Sequence, residues 1–113
     1  MNRDELNTAL KMEIIIYRNT DEMTPDLKRL LMEIVWLETP KTRYAHISDN
    51  VKILCEADAY IAACKHCIHY NPERSDNAFA YVVQIVWSSF YGTIKKHAVE
   101  LGLKTTRTTV KFK

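Results

Sequence analysis

Apolar positions in the first forty residues recur with the period of an α-helix. The first stripe has spacings of four and three residues and consists of Leu6, Leu10, Ile14 and Tyr17. This pattern predicts an amphipathic helix over residues 3–17. A second apolar face begins at Leu27, directly after Thr24, Pro25 and Asp26, which are residue types that begin helices. Pro40 is expected to end this helix because it lacks the backbone N–H that would continue it.

Two further helices are predicted in the second half of the chain, separated by one turn. The third begins at Ser48 or Asp49, runs to about His69, and carries small or apolar side chains that suit close packing: Val51, Leu54, Cys55, Ala59, Ala62 and Ala63. Residues 71–76 have the composition of a turn. The fourth helix begins near Asn77, and Gly102 is its expected C-terminal stop. Residues 103–113 lack helical periodicity and are interpreted as a basic tail.

The composition agrees with this pattern. The 113 residues include only two glycines and three prolines, so the chain has few turns to make. A β-sandwich or barrel would need a turn every ~8–12 residues. We therefore expect an all-α fold, a small bundle of about four helices, in one helical domain over residues 1–102.

Charge is distributed unevenly. The net charge is +2, but residues 1–60 carry −3 and residues 61–113 carry +5. A basic end is a candidate phosphate-facing surface, although such runs are also common as solvated tails. Three cysteines are too few for a disulfide scaffold, the N-terminus has no signal-peptide pattern, and no apolar run reaches the ~20 residues of a membrane span. A soluble, intracellular protein without membrane contact is expected.

The fourth helix is apolar on every side. In a domain this small it cannot be buried all round, so some of its central residues are expected at the surface, from the set Tyr81, Gln84, Trp87, Ser88 and Tyr91. An exposed aromatic row followed by Lys95 and Lys96 suits a single nucleic-acid strand, because rings stack on bases and ammonium groups meet phosphates. The alternative is that these rings belong to the core.

Residues 58–96 carry a recognisable pattern. A helix ends in an aromatic-Asn-Pro-Glu-Arg turn at Tyr70–Arg74, and the next helix places Ala80-Tyr81, Gln84, Phe90 and Ile94-Lys95-Lys96 at fixed intervals. This stretch resembles region 2 of bacterial sigma factors, and is similar in particular to the late-transcription sigma factors of T-even-like bacteriophages. The resemblance implies a phage-encoded minimal sigma factor, acting in the cytoplasm of the infected host on RNA polymerase core and promoter DNA, with a phage coactivator as a further candidate partner.

The resemblance assigns two sets of residues. The helix before the turn is implied to dock on the coiled coil of the β′ clamp, through the positions Glu56, Asp58, Ala62 and Lys65. The helix after the turn is implied to recognise and help melt an AT-rich −10 element, through Tyr81, Gln84, Trp87, Ser88, Tyr91, Lys95 and Lys96. Tyr81 matches the aromatic that holds a flipped base. Trp87 is either a substitute wedge or part of the core.

Metal and enzyme interpretations are weaker. Cys64 and Cys67 with His66 and His69, and with Cys55 and His46 further away, invite a zinc interpretation. Structural zinc sites use two paired motifs joined by tight turns, and the chain has one pair inside a predicted helix, so no metal and no other cofactor is expected. The sequence contains no glycine-rich phosphate loop, nucleophile elbow or paired carboxylates, so no enzymatic activity is expected.

Two main hypotheses remain from the sequence. One is the sigma factor. The other is a helical polymerase-binding regulator, an inhibitor or coactivator, that makes no DNA contact. An assembly protein is a third, weaker alternative. The sigma hypothesis requires Tyr81, Trp87, Lys95 and Lys96 to be exposed on one side of the fourth helix.

Overall fold

The computed structural model describes residues 2–39 and 49–97. These residues form four α-helices and no strand: α1 (Arg3–Thr20), α2 (Pro25–Glu38), α3 (Asp49–His66) and α4 (Ala78–Lys96). A 3-10 turn, Cys67–His69, follows α3 directly. The predicted all-α bundle of four helices is confirmed.

Local signals in the sequence account for the beginnings of the helices. Asn2 caps α1 with a reciprocal pair of hydrogen bonds to Glu5, and the Thr24 hydroxyl accepts from the Leu27 N–H at 3.1 Å at the start of α2. Asn77 caps α4, where its side chain accepts from the Ala80 N–H at 2.9 Å. Each cap satisfies an N–H group that has no partner inside its helix.

Three predicted boundaries differ from the structure. α1 continues past Tyr17 to Thr20 and ends at Asp21, which has a left-handed backbone conformation (φ 59°). The last turn of the third helix tightens into the 3-10 turn. α4 ends at Lys96, before the predicted stop at Gly102, which lies outside the described residues, as do Pro40, His46 and the predicted tail 103–113.

The core lies where the four helices meet. Its largest side chains come mainly from α1, α2 and α4, and include Leu10, Ile14, Leu30, Ile34, Val86 and Phe90. α3 contributes the small side chains Cys55, Ala59 and Ala63, which lets it approach α4 closely, and this pair makes the most extensive helix contact of the described part. Leu54, predicted to pack in the core, is instead 40% exposed because it lies on the outer side of α3.

The turn between α3 and α4 is held in place by α1. The Asn7 side chain donates to the Asp76 carbonyl at 3.1 Å and accepts from the Phe79 N–H at 2.9 Å. Lys11 pairs with the Asp76 carboxylate, and Arg18 donates to the Tyr70 carbonyl at 3.0 Å. These contacts set the position of the α3–α4 hairpin relative to the rest of the bundle.

Candidate functional site

One face of α4 carries most of the residues that the resemblance assigns to DNA. Tyr81, Gln84 and Ser88 are three or four residues apart and therefore lie on the same side of the helix. Gln84 and Ser88 are exposed, and Tyr81 is half-buried. Gly92 and Lys95 continue this face towards the end of the helix, and both are exposed.

A groove runs along this face between α3 and α4, with a volume of about 600 Å³. Its α4 side is formed by Tyr81, Gln84, Ile85, Ser88 and Ser89, and its α3 side by Ala62, His66 and the following His69. The two helices are antiparallel, so residues near the end of α3 face residues near the start of α4. The predicted residues Tyr81, Gln84 and Ser88 thus share one surface with Ala62, which was assigned to polymerase docking.

Three polar side chains of this groove have unused hydrogen-bond donors and acceptors within the described residues. Within residues 2–39 and 49–97, the side chains of Gln84, Ser88 and Ser89 make no hydrogen bond to another residue, and they keep their donors and acceptors for water or a ligand. The described lining contains no Asp, Glu, Lys or Arg. Such a groove suits a flat group with polar edges, and none of these lining residues carries a carboxylate that would repel an anion.

The ring of Tyr81 is positioned by a second tyrosine. Its centroid lies 5.6 Å from that of Tyr70, with the planes inclined by 54°. Tyr70 is 1% exposed, and its hydroxyl donates to the Ser75 carbonyl at 2.5 Å. The wall of the groove therefore rests on the buried turn, which limits the movement of Tyr81.

Trp87 faces away from the groove. Its indole N–H donates to Glu38 Oε1 at 2.8 Å, and Glu38 is a buried side chain at the end of α2. The Trp87 ring also contacts Phe90 and Tyr91, with centroids 6.0 and 5.8 Å apart. Trp87 and Tyr91 are both half-buried, so Trp87 joins α4 to α2 and does not line the groove with Tyr81.

Two lysines end α4. Lys95 and Lys96 are exposed, in the last turn of the helix, where a positive charge interacts favourably with the helix dipole. A Cβ added at Gly92, one turn earlier, would meet no atom within 4 Å. Nothing within the described fold therefore requires a glycine at this exposed position.

The residues assigned to polymerase docking do not all share a face. Asp58, Ala62 and Lys65 are four and three residues apart and lie on one side of α3, whereas Glu56, two residues before Asp58, points to nearly the opposite side. Asp58 also has a partner within the fold: its carboxylate accepts from the hydroxyl of the buried Thr93 at 2.8 Å. This bond joins α3 to α4.

The outer side of α3 is apolar and exposed. Ile53 is 61% exposed, Leu54 is 40% exposed and Ile61 is 55% exposed. They are flanked by the exposed Ala57, Asp58 and Lys65. Large aliphatic side chains grouped in this way on a helix are typical of a protein-interaction surface.

The Cys64–His69 segment divides between the core and the groove. Cys67 is fully buried, and burial raises the pKa of its thiol to about 12. Cys55 is also buried, with a thiol pKa raised to about 11. His66 and His69 point the other way, and no group of three or more His, Cys, Asp or Glu that could hold a metal ion occurs among the described residues.

The sequence interpretation considered His66 and His69 only as metal ligands and gave no role to Ile53 and Ile61, although these four residues define the groove and the outer side of α3. The antiparallel hairpin was a usable signal for the histidines, because it brings the end of α3 opposite the start of α4. No comparable signal marked Ile53 and Ile61, since an apolar helical residue is more often buried.

No helix in the described ranges is long and apolar enough to cross a membrane.

Comparisons with known proteins leave the family open. No protein-family model, no curated protein and no solved structure matches the chain.

Proposed function

We propose that this protein is a minimal sigma-type initiation factor of a bacteriophage. In this proposal the outer side of α3 docks on the β′ clamp coiled coil of bacterial RNA polymerase core. The groove and the adjoining face of α4 bind one strand of an AT-rich, −10-like late promoter element and help to melt it. The protein acts in the cytoplasm of the infected host and catalyses no reaction itself.

The observation that carries the proposal is the groove between α3 and α4. It combines an aromatic wall at Tyr81 with amide and hydroxyl groups that have no partner among the described residues, and its described lining contains no carboxylate. Flipping a base out of a duplex costs a few kcal/mol, and stacking on an aromatic side chain returns about 1–3 kcal/mol per base. The amide of Gln84 and the hydroxyl of Ser88 are suited to hydrogen-bond the edge of such a base.

Charge supports the same arrangement. The exposed Lys95 and Lys96 lie beyond the groove, where the phosphates of a strand running along α4 would pass. A cation that neutralises a phosphate contributes affinity that does not depend on sequence and weakens as salt rises. In this arrangement the groove recognises the bases, and the lysines add affinity for phosphates that does not depend on sequence.

The docking part of the proposal is supported by α3. The exposed side chains of Ile53, Leu54 and Ile61 form an apolar strip beside Asp58 and Lys65. A helix-on-helix contact with a coiled coil needs such a strip, with charges at its margin to select the partner and its orientation. Glu56 is half-buried and lies three residues after Ile53, at the margin of the strip opposite Asp58, and is expected to contribute least.

The competing hypothesis is a polymerase-binding regulator without DNA contact. It is favoured by one observation, the bond between Trp87 and the buried Glu38, which gives the tryptophan a role within the fold. It makes no use of the groove. The two hypotheses agree on α3 and differ on Tyr81.

The decisive experiment is run-off transcription by bacterial core polymerase on phage DNA, with and without the protein. We expect specific initiation only in its presence. Tyr81→Ala is expected to reduce promoter opening, measured by permanganate reactivity of unpaired thymines, without preventing binding to core polymerase. Binding to core polymerase with no initiation at any phage promoter would support the regulator instead.

A matched pair of variants tests the docking surface. Ile61→Lys changes the outer side of α3, and Met12→Lys changes α1 at a site of similar exposure, 58% against 55%. Only Ile61→Lys is expected to weaken co-purification with core polymerase. Equal effects of the two substitutions would assign the loss to general surface change and contradict docking through α3.

A further inference from the structure

Two histidines form the α3 side of the groove. His66 ends α3 and His69 ends the 3-10 turn, both side chains are exposed, and their ring centroids lie 6.1 Å apart. Neither belongs to the set that the sequence assigned to DNA or to polymerase.

The local fold explains why both rings reach the groove. Cys67 lies between them in sequence and is fully buried, with its thiol directed at the Cys64 carbonyl at 3.9 Å. Since Cys67 faces the core, the histidines on either side of it are directed outwards.

The two sides of the groove differ in chemistry. The α4 side offers a flat phenol ring at Tyr81 and the unpaired polar groups of Gln84 and Ser88. The α3 side offers imidazole N–H donors above the small side chain of Ala62. An imidazole can always donate one hydrogen bond and donates two when protonated, so it suits a phosphate oxygen, which only accepts.

We propose that His66 and His69 are DNA-contacting residues that hold the sugar–phosphate backbone along the α3 side of the groove, while the base attached to it lies against Tyr81. The inference rests on the proposed function and extends it, because it places the strand across the groove and not along α4 alone. No carboxylate among the described lining residues would repel the phosphate.

The test is the binding of a fluorescein-labelled, single-stranded AT-rich oligonucleotide to the full-length protein, alone and in complex with core polymerase, followed by anisotropy. The double variant His66→Ala/His69→Ala is expected to weaken binding about a hundredfold, which is about tenfold for each hydrogen bond lost to a charged group. His66→Gln/His69→Gln keeps an N–H donor at each position and is expected to restore most of the affinity. Both side chains are exposed, so thermal unfolding should match that of the unsubstituted protein.

An oligonucleotide with an abasic site separates backbone from base contacts. On this DNA the histidine-to-alanine variant is expected still to weaken binding, whereas Tyr81→Ala is expected to lose its effect. If the histidine variant also loses its effect on abasic DNA, the histidines contact the base and the backbone assignment is wrong.

Two further outcomes separate this inference from the proposed function. Unchanged binding by His66→Ala/His69→Ala, with binding and initiation intact in the unsubstituted protein, overturns the histidine assignment alone. No binding by the unsubstituted protein, with or without core polymerase, overturns both proposals.

Discussion

The turn of the α3–α4 hairpin and the groove next to it use polar side chains in opposite ways. At the turn, Asn7, Tyr70 and Asp76 all take part in hydrogen bonds or ion pairs within the fold. A little further along α4, Gln84 and Ser88 make no side-chain hydrogen bond to any residue in the described ranges. Polar groups at the turn therefore stabilise the fold, whereas polar groups in the groove remain available to bind water or a ligand.

The largest expected difference between the turn and the groove lies in two neighbouring tyrosines, Tyr70 and Tyr81. Tyr70→Ala removes a fully buried ring and is expected to cost about 3–5 kcal/mol of the free energy of unfolding. Tyr81→Ala removes a half-exposed ring and is expected to cost about 1–2 kcal/mol while abolishing most promoter opening. Urea unfolding followed by circular dichroism measures the first effect, and permanganate footprinting measures the second.

A reversal of that order would contradict the division. If Tyr81→Ala destabilised the protein more than Tyr70→Ala, the Tyr81 ring would be a core residue and the groove an incidental surface feature.

The next contrast compares two side-chain amides. Asn7→Ala removes both hydrogen bonds that tie α1 to the turn, and we expect a loss of about 2 kcal/mol in stability. Gln84→Ala is expected to stay within about 0.5 kcal/mol of the unsubstituted protein, because this amide has no hydrogen-bond partner in residues 2–39 and 49–97. Its effect should appear instead as weaker oligonucleotide binding in the anisotropy assay.

A substitution at Trp87 tests whether this residue serves the stability of the fold or the opening of DNA. Trp87→Phe removes the N–H that donates to the buried Glu38 and is expected to lower stability by about 1–2 kcal/mol. Initiation measured well below the unfolding temperature should then remain close to normal. Loss of promoter opening in a variant of unchanged stability would show that Trp87 acts as a wedge in the DNA.

A substitution at Gly92 is expected to raise stability, whereas the preceding substitutions lower it or leave it unchanged. A helical glycine costs about 0.5–1 kcal/mol relative to alanine, and an added Cβ would meet no atom within 4 Å. Gly92→Ala is therefore expected to raise the free energy of unfolding by about that amount in thermal denaturation. If initiation falls while stability rises, the glycine serves a close approach of DNA to the helix; unchanged initiation assigns it no such role.

The smallest effect concerns the thiols. Burial raises the pKa of Cys67 from 9.0 to about 12, so the folded state keeps the proton that the unfolded state loses. This contribution to stability is present below about pH 9 and declines as the pH rises above it. At pH 8, iodoacetamide is expected to modify the half-buried Cys64 before Cys55 and Cys67, as followed by peptide mass spectrometry.

Rapid modification of Cys67 in the folded protein, at the rate seen in urea, would contradict its burial. Such a result would also reopen the metal interpretation of the Cys64–His69 segment.

Much of the architecture was predictable from local signals. The caps at Thr24 and Asn77 and the stripe from Leu6 to Ile14 lie where their residue types predict. These signals act over three or four residues, and a sequence displays them directly. Boundaries were less predictable, as at the end of the third helix, where the last turn tightens into a 3-10 conformation.

The candidate site was predictable only on one helix at a time. Tyr81, Gln84 and Ser88 were assigned to DNA through the resemblance, in one set with Trp87 and Tyr91, which do not line the groove. Their proximity to His66 and His69 depends on the antiparallel pairing of α3 with α4, which cannot be inferred from spacing within one helix. The exposure of Leu54 was missed for the same reason, because an apolar residue on α3 has the same appearance in sequence whether it faces α4 or solvent.

Short-range signals, the capping residues and the helical periodicity, were enough to establish that this protein is all-α, where its helices begin and which residues share a helical face. The packing of the helices selects which face of each helix is covered. That choice turns Cys67 inwards and its flanking histidines outwards, pairs Trp87 with Glu38, and leaves Gln84 and Ser88 open in a groove. Burial depends on contacts between residues far apart in the chain, and those contacts form only when the helices pack.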